Sequence, residues 1–111
     1  MSSASASASP KTAELRGVIA AHGDEFDALL AKYSATNPRY FGSVARGTAR
    51  ADSDIDIVVD MDPADGNILM RAAGLLEESR ELFGREDLDV LPAQILKQTV
   101  VASALVDAVP L

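Results

Sequence analysis

Length, composition and charge restrict what this chain can be. Its 111 residues fit one domain, and a 48% hydrophobic content with only 5% aromatic residues predicts a core of aliphatic side chains. The chain has no cysteine, which excludes disulfides, thiolate metal sites and a cysteine nucleophile. A net charge of −7 disfavours contact with nucleic acid and with anionic membranes, so an anionic ligand needs an intervening cation. Neither a membrane-spanning run nor a signal peptide is evident, which predicts a cytoplasmic protein.

The chain is expected to begin with a tail and a helical region. Residues 1–10 are rich in Ser and Ala and are predicted to be a disordered tail, while residues 11–111 are predicted to form the domain. Pro10 suits the first turn of a helix that Ser9 caps. Apolar residues at helical spacing then predict one broken helix or two short ones up to about Tyr33.

The rest of the chain alternates between strand and helix patterns. This order predicts an α/β (α+β) fold in which helices flank a short mixed sheet. The strand at 55–59 alternates acidic and apolar residues, so it is expected to have one acidic end and one buried face. The predicted elements are a strand at 39–41, a helical turn at 44–47, a loop at 48–53, the strand at 55–59, a turn at 63–66, a helix at 68–82 ended by Gly84, a strand at 88–91 stopped by Pro92, and a helix at 95–106.

The clearest chemical signal is a pair of carboxylates. Asp54 and Asp56 stand two residues apart, and on a strand such residues point to the same face. Two neighbouring carboxylates repel each other unless a cation neutralises them. Hard oxygen ligands of this kind suit Mg²⁺, which typically combines one or two carboxylates with substrate phosphates. The pair therefore predicts a site for a metal–nucleotide complex.

A second feature lies upstream, where Gly42-Ser43 falls between a predicted strand and a helical turn. Glycine allows the backbone to approach a ligand closely, and exposed N–H groups there bind anions. A third acid is expected on the next strand, because two-metal phosphoryl transfer uses several carboxylates. Asp87 and Asp89 share a face, and Asp89 is favoured because it lies at the centre of that strand.

The combined pattern resembles a known family. Gly42-Ser43-Val44-Ala45-Arg46-Gly47, a polar gap and Ser53-Asp54-Ile55-Asp56-Ile57 resemble the signature of the polymerase-β-type nucleotidyltransferases, and most of all their minimal (MNT) branch. The resemblance implies a single nucleotidyltransferase domain that uses ATP and Mg²⁺. It implies that Gly42 and Ser43 bind the phosphates, with Arg46 near them. It also implies that Asp54, Asp56 and Asp89 bind Mg²⁺ and are the catalytic residues, with Asp89 activating the acceptor hydroxyl.

The resemblance also implies a biological role. MNT proteins are similar to the antitoxins of HEPN–MNT pairs, some of which transfer AMP to a tyrosine of the HEPN toxin. A chain of 111 residues leaves no room for a separate acceptor domain, so a protein partner is the expected acceptor. Three alternatives stay open: an antitoxin that blocks its toxin by binding alone, a small-molecule nucleotidyltransferase, and a nucleotide sensor without transfer activity.

Two other motif interpretations fail on particular residues. The Gly42–Thr48 segment is one residue short of a P-loop and lacks its lysine, since Arg46 precedes the second glycine. The segment from Asp52 resembles the start of an EF-hand loop. That loop requires glycine at its sixth position and glutamate at its twelfth, where this sequence has Ile57 and Pro63.

Overall fold

The computed structural model of the chain describes residues 9–95 and 108–111. The predicted tail up to residue 8 and the predicted last helix beyond Ile95 lie outside the described residues. None of the described helices is both long and apolar enough to cross a membrane. The elements are α1 (Pro10–Ala21), α2 (Gly23–Lys32), β1 (Ala35–Phe41), α3 (Gly42–Arg46), β2 (Ile55–Met61), a 3₁₀ helix (Pro63–Asp65), α4 (Ile68–Phe83), β3 (Leu88–Pro92) and β4 (Val109–Pro110).

The described strands form one mixed sheet in the order β3-β2-β1-β4. β1 runs antiparallel to both of its neighbours, whereas β2 and β3 are parallel. Parallel neighbours require a crossover connection, and α4 supplies it. The predicted class, a small mixed sheet flanked by helices, is confirmed.

The main core lies between the helices and one face of the sheet. It is mainly aliphatic, as the composition predicts, with Leu15, Ile57, Leu75 and Val90 fully buried, and it also contains the aromatic Phe26. The expectation of a single buried face for β2 is wrong, because Val58 on the other face is also fully buried. On this face Ala93, which follows β3 directly, packs with Val58, and the partly buried Phe41 and Leu91 pack against both.

The helix ends follow local sequence signals. Ser9 caps α1, with its side chain accepting a hydrogen bond from the Thr12 N–H, so Pro10 belongs to the helix rather than to the tail. Of the two alternatives for the first helical region, two short helices are observed, with the break at His22. α4 ends where Gly84 adopts a left-handed conformation with φ of 63°.

Two strand features differ from the expectation. β1 begins at Ala35 and continues through Asn37-Pro38, where the register with β2 shifts and Asn37 takes a positive φ of 52°. The predicted strand started later because a proline and a bulge interrupt the pattern. β4 was not predicted at all: it has two residues, and Val109 pairs with Tyr40 at the outer edge of β1.

Arg71 on α4 ties together two loops at the end of the sheet where β1 begins. Its guanidinium donates to four backbone carbonyl groups, two in each loop. They belong to Tyr33 and Ser34 before β1 and to Asp62 and Gly66 after β2. This end of the sheet is thus held by a structural side chain, which leaves the opposite end for the candidate site.

Gly17 offers a test of the helical assignment of α1. A Cβ added at this position meets no atom within 4 Å, so alanine fits the native structure. We expect Gly17→Ala to raise the free energy of unfolding by about 0.5–1 kcal/mol, because alanine loses less backbone entropy in a helix. Urea unfolding of the two proteins measures this, and a destabilised variant would contradict the helix at this position.

Candidate active site

The turn from β1 into α3 places Gly42 directly against Asp56. Phe41 is the register partner of Asp56 in β2, so the residue that follows it begins α3 just beside the Asp56 side chain. Gly42 has a positive φ of 71°, and a Cβ added there would lie 2.7 Å from Oδ2 of Asp56. Both the backbone conformation and the space therefore favour glycine, because a Cβ would be strained at this φ and would displace the Asp56 carboxylate.

Three aspartates meet at this end of the sheet. Asp56 is half-buried and is paired in register with Asp89 on the parallel neighbour β3, while Asp54 lies exposed in the loop just before β2. Burial, followed by the charges of Asp89 and Asp54, raises the pKa of Asp56 to about 6, and the charge of Arg46 acts in the opposite direction. The folded chain thus holds an excess of negative charge here, which favours a bound cation.

Asp89 has a partner that sequence reasoning missed. Arg80 in the last turns of α4 donates from Nη2 to Oδ1 of Asp89 at 2.9 Å and from Nε to the Leu88 carbonyl oxygen at 2.8 Å. This leaves the second carboxylate oxygen of Asp89 without a hydrogen bond among the described residues. No sequence pattern connects Arg80 to Asp89, because the contact arises only when α4 packs beside β3.

Asp87, the other candidate for the third acid, is engaged elsewhere. Its two carboxylate oxygens each accept a hydrogen bond of 2.8 Å from the Arg85 guanidinium. These hydrogen bonds lower the pKa of Asp87 below its usual value. Asp87 precedes β3 and has no register partner among the acids, whereas Asp89 stands beside Asp56. The geometry therefore favours Asp89 as the third member.

The other predicted residues surround the same point. Ser43 is half-buried in the first turn of α3, and its carbonyl oxygen accepts a hydrogen bond from the Thr48 N–H at 3.0 Å. Arg46 ends α3 and is exposed, and its charge reaches Asp56. The structure thus brings Gly42, Asp54, Asp56 and Asp89 to one end of the sheet, with Ser43 and Arg46 on the adjoining helical turn.

The donor set suits a divalent cation, although its side chains are not arranged around one. Within residues 9–95 and 108–111, no three His, Cys, Asp or Glu side chains form a cage for a metal ion. The Arg80 ion pair holds one oxygen of Asp89, so Asp89 would have to turn to share an ion with Asp56. Carboxylate oxygens are nevertheless the hard ligands that Mg²⁺ prefers, and Asp54 and Asp56 would hold it.

Comparison with known proteins agrees with this arrangement. Residues 27–111 match the nucleotidyltransferase domain family. A solved structure described provisionally as a minimal nucleotidyltransferase aligns with a TM-score of 0.67 and 33% sequence identity, over 90% of this chain and 95% of that chain. The chain belongs to the minimal nucleotidyltransferase family. No curated protein gives a significant match.

Membership of this family indicates the general class of activity. A nucleotidyltransferase domain is a transferase domain with a nucleotide substrate, and such domains typically use a nucleoside triphosphate and a divalent metal. The stretch that matches the family contains all six predicted site residues. This stretch, residues 27–111, begins within α2.

The contact between Gly42 and Asp56 in this minimal nucleotidyltransferase can be tested against Gly84. Both glycines have a positive φ, but a Cβ at Gly84 meets nothing within 4 Å. We expect Gly84→Ala to lower the free energy of unfolding by about 1–2 kcal/mol, the strain of alanine in a left-handed conformation. Gly42→Ala should lower it by more. Urea unfolding in a double-mutant cycle with Asp56→Ala measures the difference. If the extra cost at Gly42 persists without the Asp56 carboxylate, the proposed collision is wrong.

The raised pKa of Asp56 predicts a pH-dependent effect of Asp56→Asn. Because the folded pKa of about 6 exceeds the ordinary value of 3.8, ionised Asp56 destabilises the fold. This loss of stability is absent at a pH below the ordinary pKa and is complete at a pH above the pKa of the folded state. In the presence of a chelator, we expect Asp56→Asn to be more stable than wild type by about 1–3 kcal/mol near pH 8 and equal to it near pH 4. Exposed Asp27→Asn is the control, and a pH-independent difference would contradict the shift.

Proposed function

We propose that this minimal nucleotidyltransferase transfers AMP from ATP, with Mg²⁺, to a hydroxyl group of a partner protein in the cytoplasm. The acceptor is a tyrosine of a HEPN-type toxin, and the modification makes this chain the antitoxin of that toxin. The observation that carries the transfer chemistry is the half-buried Asp56, which is paired in register with Asp89, feels the charge of Asp54 and lies against the backbone of Gly42. The resemblance to MNT antitoxins supports the choice of partner.

The phosphates of ATP would lie along the turn of Gly42 and Ser43. The glycine brings the main chain to the side of Asp56 without an intervening Cβ, so phosphate oxygens and carboxylates can share a cation. Arg46 is exposed on the same turn and adds a positive charge that attracts the polyphosphate. Gly42, Ser43 and Arg46 bind and orient the nucleotide, while the carboxylates hold its metal.

Asp54 and Asp56 would be the metal ligands. When bound, Mg²⁺ neutralises charge on the phosphates and makes the α-phosphorus more open to attack. The acceptor hydroxyl oxygen then bonds to the α-phosphorus, the bond from that phosphorus to the oxygen bridging to the β-phosphate breaks, and pyrophosphate leaves. Asp89 would take the proton of the hydroxyl with its free oxygen, while Arg80 keeps the other oxygen in place.

The surroundings of the aspartates favour a large acceptor over a small molecule. Asp54 and Arg46 are exposed, so the site opens to solvent on the side from which a partner would approach. A groove of about 500 Å³ lies along α4 and the turn after it; its lining includes Arg80, the partner of Asp89, but neither Gly42 nor any of the three aspartates. A protein that presents its own tyrosine needs no acceptor pocket beside the carboxylates.

A transfer assay tests the proposal. Wild type is incubated with Mg²⁺ and a co-expressed HEPN-type protein, in parallel with ATP labelled at the α-phosphate and at the γ-phosphate. We expect the α-label on the partner, the γ-label in pyrophosphate, and a partner mass increased by whole AMP units on a tyrosine. Asp54→Asn with Asp56→Asn should reduce transfer by about a thousandfold or more, since charge stabilisation is the main catalytic term.

The matched control is Asp27→Asn with Asp65→Asn, which removes the same charge from two exposed positions outside the site. Transfer that survives loss of Asp54 and Asp56 would contradict the mechanism. Equal neutralisation of the toxin by wild type and by the double variant would show an antitoxin that works by binding alone. Transfer without any protein partner would show a small-molecule enzyme, and ATP binding without pyrophosphate release would show a sensor.

A further inference from the structure

A cluster of hydrogen bonds connects α1 and its cap Ser9 to α3 and to the chain that follows α3. The three side chains involved, Ser9, Thr12 and Arg16, recur at helical spacing and face the same segment. The contacts are Ser9 N to Gly47 O at 2.8 Å, Ser9 Oγ to Ala49 O at 2.8 Å, Ala49 N to Thr12 Oγ1 at 3.0 Å, Arg16 Nη2 to Val44 O at 2.7 Å and to Ala45 O at 3.4 Å, and Ser9 Oγ with Thr12 Oγ1 at 2.7 Å.

These contacts satisfy backbone groups that have few other partners. Ala49 is buried, and both its N–H and its carbonyl oxygen bond to side chains of α1. Thr12 is completely buried although it is polar, because its hydroxyl links Ala49 to Ser9. A buried polar group without such a partner costs considerable stability, so the segment has one preferred position against α1.

The segment that these hydrogen bonds hold, residues 44–49, joins the two halves of the candidate site, the glycine turn and the Asp54 loop. On one side, Arg16 binds the last carbonyl groups of α3, the turn that begins at Gly42. On the other side, a short turn follows Ala49, in which Ser53 Oγ accepts from Arg50 N at 2.7 Å and Ser53 N donates to Arg50 O at 3.0 Å. Asp54 comes next. The position of α1 therefore determines both the glycine turn and the start of the acidic strand.

We infer that the first turns of α1 form a positioning clamp for the nucleotide site, with Thr12 as its central residue. None of the clamp side chains touches the nucleotide. They act through Ala49 and Val44 by holding the glycine turn and the Asp54 loop at the separation that one metal–nucleotide complex requires. The inference rests on the proposed function. It adds residues that precede residues 27–111, the stretch that matches the nucleotidyltransferase domain family.

The variant Thr12→Val tests the clamp, because it keeps the shape of the side chain and removes only the hydroxyl. Thr12→Ser is the conservative variant that retains it. Ile19→Val is the control for a general weakening of α1, since Ile19 is buried on the same helix and contacts the core rather than the loop. Arg16→Met is a second clamp variant, which removes the donor to Val44 and keeps an aliphatic stem.

Two measurements separate positioning from stability. Calorimetry with Mg²⁺ and α,β-methylene-ATP, which cannot be cleaved between those phosphates, gives the nucleotide affinity. Hydrogen exchange of the amides at 47–50 gives the order of the loop without any ligand. We expect Thr12→Val and Arg16→Met to weaken binding about tenfold, as partners behind ligating residues typically do, and the exchange at 47–50 to become faster in Thr12→Val. Thr12→Ser and Ile19→Val should bind like wild type.

Each outcome bears on a different claim. If wild type binds the analogue and Thr12→Val binds it equally well, the clamp is wrong and the proposed function stands. Loss of affinity in Ile19→Val that equals the loss in Thr12→Val would show a stability effect and also overturn the clamp. If Thr12→Val does not fold, Arg16→Met decides in the same way. Failure of wild type to bind the analogue would overturn the proposed function together with the role of the clamp in nucleotide binding.

Discussion

The close approach of the Gly42 backbone to the Asp56 carboxylate is the constraint on which the rest of the site depends. It follows from the pairing of β1 and β2, because Phe41 lies opposite Asp56 and the chain must turn immediately afterwards. A residue with a Cβ would be strained at this positive φ and would have to displace the Asp56 carboxylate, so glycine is favoured in that turn. A one-residue change of register would move Asp56 to the other face of the sheet and separate the two halves of the site.

The negative charges of the site repel each other and lower the stability of the fold. The burial of the apolar sheet beneath the site offsets this loss of stability. Asp56 lies between Ile55 and Ile57, both fully buried, so β2 holds the carboxylate in place although its charge is disfavoured there. Arg80 relieves part of the charge by pairing with Asp89. The fold thus keeps acids together that would separate in a flexible chain, and this prearrangement is what a cation-dependent transferase requires.

The sequence predicted the parts of the structure that are encoded locally. α4 and β2 have clear apolar periodicity, and both begin where they were predicted. The glycine turn and the aspartate pair form a short motif with a polar gap, although the helical turn predicted at 44–47 begins two residues earlier, at Gly42. Contacts between distant segments left no such signal. Arg80 reaches Asp89, and Thr12 reaches Ala49, only after packing. β4 has too few residues to show alternation, and Val58 is buried against Ala93, Phe41 and Leu91, which come from other parts of the chain.

The outer strands of the described sheet have a consequence for self-association. β3 and β4 are the edges, and each contains a proline, Pro92 opposite Val59 and Pro110 opposite Arg39. Proline has no N–H to donate, so neither edge offers an unbroken row of donors to a strand from another molecule. A chain whose core is built from aliphatic strands is otherwise exposed to fibril-like stacking. Its prolines, together with mutual repulsion at a net charge of −7, oppose that route to aggregation.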